Sequence, residues 1–127
     1  GLEGRVLLLG KEAPLERYMG LFDVFCLPSV HEGLGMSIME AMAAKRPCVA
    51  SNVGGLSELI THEKDGILVI PGSSEGLGKA LLRLLGDKDL RERLSDNARE
   101  KARNGFSIED SVKRTVEVYR LAIGKKK

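Results

Sequence analysis

The chain has 127 residues, 43% of them hydrophobic and 30% charged, with 20 Lys and Arg against 18 Asp and Glu. A net charge of +2 with opposite signs interspersed gives no ground for nucleic-acid or membrane-surface binding, and the apolar content sets disorder aside. No apolar run reaches the roughly 20 residues of a membrane span. Cys26 and Cys48 both fall inside apolar runs, as buried reduced thiols do, so a soluble, cytoplasmic protein is expected.

Arg5-Val6-Leu7-Leu8-Leu9 is a short apolar run closed by Gly10 and reads as a buried strand. After the loop over residues 10–13, Pro14 suits the first position of a helix, and Leu15, Tyr18, Met19 and Phe22 follow at helical spacing. Val24-Phe25-Cys26-Leu27 is a second strand, which Pro28 ends. A glycine-containing turn then leads into a helix through Ala41-Met42-Ala43-Ala44-Lys45, and Arg46-Pro47 turns into a third strand, Cys48-Val49-Ala50. Gly54-Gly55 opens a short helix with Leu56, Leu59 and Ile60; residues 62–66 form a turn, and Ile67-Leu68-Val69-Ile70 is a fourth strand. The rest is helical. Ser73 or Ser74 can cap a helix carrying Leu77, Leu81 and Leu84; Gly86-Asp87 separates it from one carrying Leu90, Leu94 and Ala98; Asn104-Gly105 is a stop. Ser107-Ile108-Glu109-Asp110 resembles a capping box ahead of a last helix with Val112, Val116, Tyr119 and Ile123. Lys125-Lys126-Lys127 reads as a solvated terminus.

About four short, continuously apolar strands alternating with helices predict an α/β fold. Its expected form is a Rossmann-like parallel sheet with helices on both faces and a helical C-terminal third, a single domain over residues 1–127.

The stretch between Leu27 and Ala41 carries the chemistry. Gly33 and Gly35 let backbone approach a ligand closely, with Leu34, Met36 and Ser37 completing the turn. The free N–H groups of the first helical turn and the positive end of the helix dipole make a phosphate site. Glu32 and Glu40 flank it with seven residues between them. If the helix starts near Gly35, Glu40 lies roughly 6–8 Å along its axis, leaning back toward the N-terminus. Carboxylates beside a phosphate site suit a ligand with hydroxyls next to its phosphates, because a carboxylate accepts two hydrogen bonds from a sugar diol. The combination fits a nucleotide sugar. The competing local reading takes Ser37-Ile38-Met39-Glu40 as a capping box, with the helix starting at Ser37 and Glu40 spent on a backbone N–H. Met36, Met39 and Met42 read as core filling, His31 as a surface residue, and His62 has no evident partner. No HxxxH, CxxC or acidic cluster has metal-ligand spacing, and no Walker loop, GxGxxG or G-x-S-x-G is present, so neither metal nor other cofactor is expected.

Pro28-Ser29, Glu32-x7-Glu40 running into Ala41-Met42-Ala43, Pro47-Cys48-Val49-Ala50-Ser51 and Val53-Gly54-Gly55-x-x-Glu58 occur in that order over almost the whole chain. Together they resemble the family-four retaining glycosyltransferases (glycosyl transferases group 1), specifically the donor-binding C-terminal domain of their GT-B architecture. The resemblance implies transfer of a hexosyl group from a nucleotide-diphosphate sugar to an acceptor, with retention and without a metal. It implies that Glu32 contacts the transferred sugar as the catalytic residue, that Gly33, Leu34, Gly35, Met36 and Ser37 hold the diphosphate, and that Glu40 holds the ribose. It also places Gly10 and Lys11 near the base and Gly54 and Gly55 near the donor, though a surface loop and a helix-opening turn are the plainer readings of those pairs. Glu58 would orient the second glycine loop.

The same resemblance implies that the domain is N-terminally incomplete: further strand-helix units carrying the basic clasp of the diphosphate would precede Arg5, and an N-terminal acceptor domain would be a partner. Those units would sit between the first two strands here; direct pairing of the two is expected, with strand exchange between protomers as the alternative. An exposed sheet edge or the last helix would then favour self-association. Two other functions fit the sequence: a non-catalytic nucleotide- or phosphate-binding module or structural fragment, and, further off, a sugar-nucleotide epimerase of double-Rossmann plan.

Overall fold

The computed structural model describes residues 1–10 and 14–124. Three short apolar runs form β1 (Phe25–Leu27), β2 (Cys48–Ser51) and β3 (Ile67–Val69), all parallel, in the order β1-β2-β3. The register sets Phe25 beside Cys48, Leu27 beside Ala50 and Ser51 beside Val69. The helices are α1 (Glu16–Met19), α2 (Met36–Ala43), α3 (Gly54–Leu59), α4 (Ser74–Gly86), α5 (Lys88–Gly105) and α6 (Ile108–Gly124).

Strand side chains alternate between the two faces of a sheet, and the core divides accordingly. Phe25, Cys48 and Ala50 pack with Ile38, Ala41 and Met42 of α2 and Leu56 and Leu59 of α3. Val49 and Ile67 on the opposite face pack with Ala80 and Leu84 of α4. Helix α5 serves both layers, Leu90 and Leu94 in the second and Ala98 and Ala102 in the first. The α/β, Rossmann-like reading therefore holds, with helices on both faces and a helical C-terminal third. The caps follow local sequence: Ser73 accepts the Gly76 N–H at 3.0 Å, Asp87 that of Leu90 at 2.9 Å, and Ser107 that of Asp110 at 3.0 Å.

The first expected strand is a correction. Residues 5–9 are not in a strand and are exposed throughout, Leu8 at 90%. Among the described residues the expected pairing with β1 is absent, β1 is an edge strand, and the sheet has three strands rather than the expected four. An apolar run records a preference for burial, and a strand forms only where an edge and a covering layer both exist. Helices α2 to α5 pack on β1, β2 and β3, and residues 5–9 are left uncovered. Helix α6 is likewise unpartnered among the described residues, with Ile108, Val112, Tyr119 and Ile123 exposed. No described helix is long and apolar enough to cross a membrane.

Helix α5 also braces the connections that lead into β2 and β3. Lys45 pairs with Asp96 at 2.6 Å, Arg93 donates to the Glu63 carbonyl at 3.2 Å, and Asn97 donates to the Lys64 carbonyl at 2.8 Å. Deepest is Asp65: one carboxylate oxygen takes the Thr61 N–H at 2.7 Å, the other Lys101 Nζ at 3.1 Å, and Lys101 also donates to the Thr61 hydroxyl at 3.0 Å. His62, which had no evident partner in sequence, accepts the Leu68 N–H on Nδ1 at 3.0 Å. Glu63 and Arg83 form a two-pronged pair with one prong at 2.8 Å, and Arg83's hydrogen bond holds the Glu63 carboxyl below the usual carboxylate range. These ties from α4, α5 and His62 gather toward the N-terminal ends of the strands.

Cys26 and Cys48 are free and lie on opposite faces of the sheet. Burial first, then the Asp65 charge and Cys26, pushes the Cys48 thiol up to about 12, so it is chemically quiet.

Two outcomes follow. With side chains 4% and 29% exposed, Asp65 and Lys101 form a largely buried pair. Asp65→Ala strands both the cation and the Thr61 N–H and should cost about 3 kcal/mol in urea unfolding. Lys101→Met, which leaves the Thr61 N–H paired, should cost less; equal costs would deny the carboxylate its second role. Glu63 contributes stability above the ordinary glutamate pKa of about 4.3 and loses it as pH falls through its lower folded value. The Tm gap between wild type and Glu63→Gln should therefore be open at pH 7 and close in strong acid.

Candidate functional site

Pro28 ends β1 because it brings no N–H to the ladder. The chain then loops to Gly35, whose φ of 66° and ψ of 45° put it in the left-handed region as the N-cap of α2. A Cβ there would stand 2.6 Å from Leu56 Cδ2 and 3.1 Å from Leu59 Cδ1, so glycine is required by both backbone and space. Helix α2 begins at Met36, and no side chain caps it. The capping-box reading of Ser37 and Glu40 is thereby removed. Ile38 and Met39 donate to the Gly35 carbonyl at 2.9 and 3.2 Å, while the N–H groups of Met36 and Ser37 have no acceptor among the described residues. Two free donors thus stand at the positive end of the helix.

Glu32 is half-buried and turned toward this cap. Its carboxylate accepts the Gly35 N–H at 3.3 Å and the Ser29 hydroxyl at 3.5 Å. From the first turn of α3, Gly55 donates its N–H to the Glu32 carbonyl at 3.2 Å. A Cβ on Gly54 would lie 2.3 Å from that carbonyl oxygen, and one on Gly55 would lie 1.9 Å from the Gly33 oxygen. The pair therefore does more than open a helix: its bare backbone seats the Glu32 loop. Sequence reasoning missed this contact and the Ser29 bond, although two adjacent glycines at the end of the strand beside a glycine-containing loop are the signal that could have found it.

The sequence-predicted residues fall into three places. Glu32, Gly33 and Gly54 line one open pocket of about 540 Å³ with Val30, His31 and Val53; no Lys or Arg is among them. Leu34 and Met36 lie in a separate groove of about 530 Å³ that includes Glu58, Phe106 and Ile108. Met36 is 56% exposed, a correction to its reading as core, whereas Met42 is fully buried. Glu40 is half-buried in the second turn of α2 and lines neither of these pockets; its carbonyl accepts the Ala44 N–H at 2.9 Å, and its carboxylate has no hydrogen bond among the described residues. Gly10 is exposed with φ of 72° and lines neither; Lys11 lies outside the described residues. Among the described residues no three His, Cys, Asp or Glu side chains are grouped to hold a metal ion.

The profile of glycosyl transferases group 1 matches residues 1–101. An uncharacterized glycosyltransferase of Methanocaldococcus jannaschii is 37% identical over 125 residues, 97% of this chain and 32% of that protein. Anabaena HepE in complex with UDP superposes with a TM-score of 0.90 at 30% identity, over 94% of this chain and 33% of its own, and its UDP-glucose complex gives 0.89. The C-terminal domain of a glycosyl transferase group 1 protein from Francisella tularensis gives 0.72 at 26% identity, over 81% of this chain and 53% of that one. The chain spans about a third of the length of the M. jannaschii and Anabaena proteins. A profile match over residues 1–101, most of the sequence, shows that the chain belongs to the glycosyl transferases group 1 family.

Proposed function

We propose that the chain is the donor-binding domain of a retaining, metal-independent glycosyltransferase that takes a hexosyl group from a nucleotide-diphosphate sugar. The observation that carries this is the pair of free N–H groups of Met36 and Ser37 at the start of α2, next to the Glu32 loop. HepE, solved with UDP and with UDP-glucose, supports the substrate class. In this reading the diphosphate lies over residues 33–37. As the bond from the anomeric carbon breaks, its electron pair passes to a phosphate oxygen, and the α2 amides stabilise the charge that develops there. Retention requires the acceptor oxygen to bond to the anomeric carbon on the face the phosphate leaves, its proton passing to the departing phosphate oxygen. Glu32 holds sugar hydroxyls, Glu40 the ribose, and Gly10 and Lys11 approach the base. Gly54 and Gly55 serve the donor by fixing the Glu32 loop. The acceptor belongs to an N-terminal domain in a cytoplasmic enzyme, and the bare face of α6 seats that domain or a second copy.

A second reading, a non-catalytic anion-binding module, is favoured by one observation: Glu32 already serves its own loop, and no basic side chain lines its pocket.

The two separate in a backbone-amide NMR titration with UDP, GDP, ADP and their hexose conjugates. The donor reading expects shifts at residues 33–37, at least about tenfold weaker binding in Glu40→Ala from lost ribose hydrogen bonds, and a Glu32→Gln variant that still binds the bare nucleotide but no longer prefers its hexose conjugate. Binding unchanged in both variants would leave the anion-binding module.

A further inference from the structure

The geometry points to a second ligand site on the C-terminal edge of the sheet, one that takes a short-chain carboxylate. A cavity of about 200 Å³ opens between the ends of all three strands and the start of α4, and none of its lining residues lines the Glu32 pocket. Its walls are Pro28, Val69, Ile70 and Leu77. Gly72 and three serines, Ser51, Ser73 and Ser74, complete the lining.

Ser51 is the observation that makes this a site. The residue is 1% exposed, yet no hydrogen bond to its hydroxyl exists among the described residues. No side-chain polar atom there is sealed away unpaired, so the small exposed area left to Ser51 belongs to its oxygen, facing the cavity it lines. A buried hydroxyl without a protein partner is one that a ligand or water must satisfy.

Opposite it stands the first turn of α4. The Ser73 side chain accepts the Gly76 N–H, and the Leu77 N–H returns to the Ser73 carbonyl. The N–H groups of Ser74 and Glu75 have no acceptor among the described residues. Ser74, with its free amide at the positive end of a 13-residue helix, and the nearly buried Ser51 therefore line one space.

The charge environment selects the ligand. No Lys or Arg lines the cavity, so the helix end, equivalent to about half a unit charge, is the source of positive potential, and it matches one negative charge better than two. The Glu75 carboxylate in the same turn, held by Lys79 at 2.6 Å, weighs further against a dianion. The four apolar walls accept a short hydrocarbon stem behind the carboxylate. The chemistry is thus a small monocarboxylate, with phosphate disfavoured.

The test is an amide NMR titration of this chain with sodium acetate, sodium propionate, sodium phosphate and sodium chloride at matched ionic strength. Saturable shifts at Ser51, Ser74 and Glu75, stronger for propionate than acetate and absent with chloride, are expected. Saturating UDP should leave them in place. Ser74→Pro removes one of the two free N–H groups at the first helical position, where proline is well tolerated, and should weaken propionate at least about tenfold, the loss of one hydrogen bond to a charged group. Ser51→Val should do the same, and because Ser74 is exposed, its variant decides the matter if Ser51→Val does not fold. Non-saturating shifts, equal shifts at the start of α5, tighter binding of phosphate, displacement by UDP, or unchanged affinity in Ser74→Pro would each overturn the assignment.

Discussion

The backbone at Gly35 is the constraint on which the site rests. The turn from β1 into α2 passes beneath Leu56 and Leu59 of α3, and the chain clears them in a left-handed conformation with no side chain at that point. Any other residue would meet both a steric clash and a left-handed penalty of roughly 1–2 kcal/mol. Fixing Gly35 fixes its N–H, which in turn holds the Glu32 carboxylate, while Gly55 holds the Glu32 backbone from the other side. One acidic residue is thus gripped by its carbonyl and by its side chain, and three glycines on two loops are what allow it.

The two edges of the sheet are built on opposite principles. At the N-terminal ends of the strands, Asp65, Glu63 and Asp96 pair with Lys101, Arg83 and Lys45, and polar side chains of α5 bind the loop carbonyls. That edge is closed by charge neutralisation and by hydrogen bonds between segments far apart in sequence. At the C-terminal ends, α2, α3 and α4 all begin, so three positive helix ends meet the opening. Under the proposed function, the positive end of α2, about half a unit charge, is what holds an anion where no basic side chain lines the Glu32 pocket. The small net charge of +2 is no obstacle, because the relevant field comes from backbone.

What could be read from the chain is what local chemistry determines. β1, β2 and β3 were apolar runs with breakers at their ends, Ser73 and Ser107 stood where caps belong, and the glycines between Glu32 and Ser37 announced a strand-to-helix turn. The misreadings share a cause. Residues 5–9 carry a strand pattern, but the pattern cannot say whether a layer exists to cover them. The Asp65–Lys101 pair joins residues 36 apart, and nothing in a charged turn or a charged helix face says that they meet. Met36 sits at an apolar position of α2 that no neighbouring element covers. Gly54 and Gly55 were visible as glycines, but their reason lies in the backbone of Glu32 and Gly33, some twenty residues away. Tertiary partners, not local preferences, decide these cases.

Glu32 shows how bracing and ligand binding are compatible in one side chain. A carboxylate offers about four lone-pair sites, and the loop uses two of them through contacts of 3.3 and 3.5 Å, at or beyond the long end of useful hydrogen bonds. Such bonds orient the group at little energetic gain, so a sugar hydroxyl at normal distance can replace or supplement them cheaply. The Gly35 N–H they occupy is not one of the two free donors of α2, which remain open at Met36 and Ser37. Under the proposed function, phosphate and carboxylate therefore do not compete for the same amides: the helix start serves the diphosphate while Glu32, held beside it, serves the sugar. The loop contacts that argue for a mere brace are the ones that place the carboxylate where a hydroxyl-bearing ligand would need it.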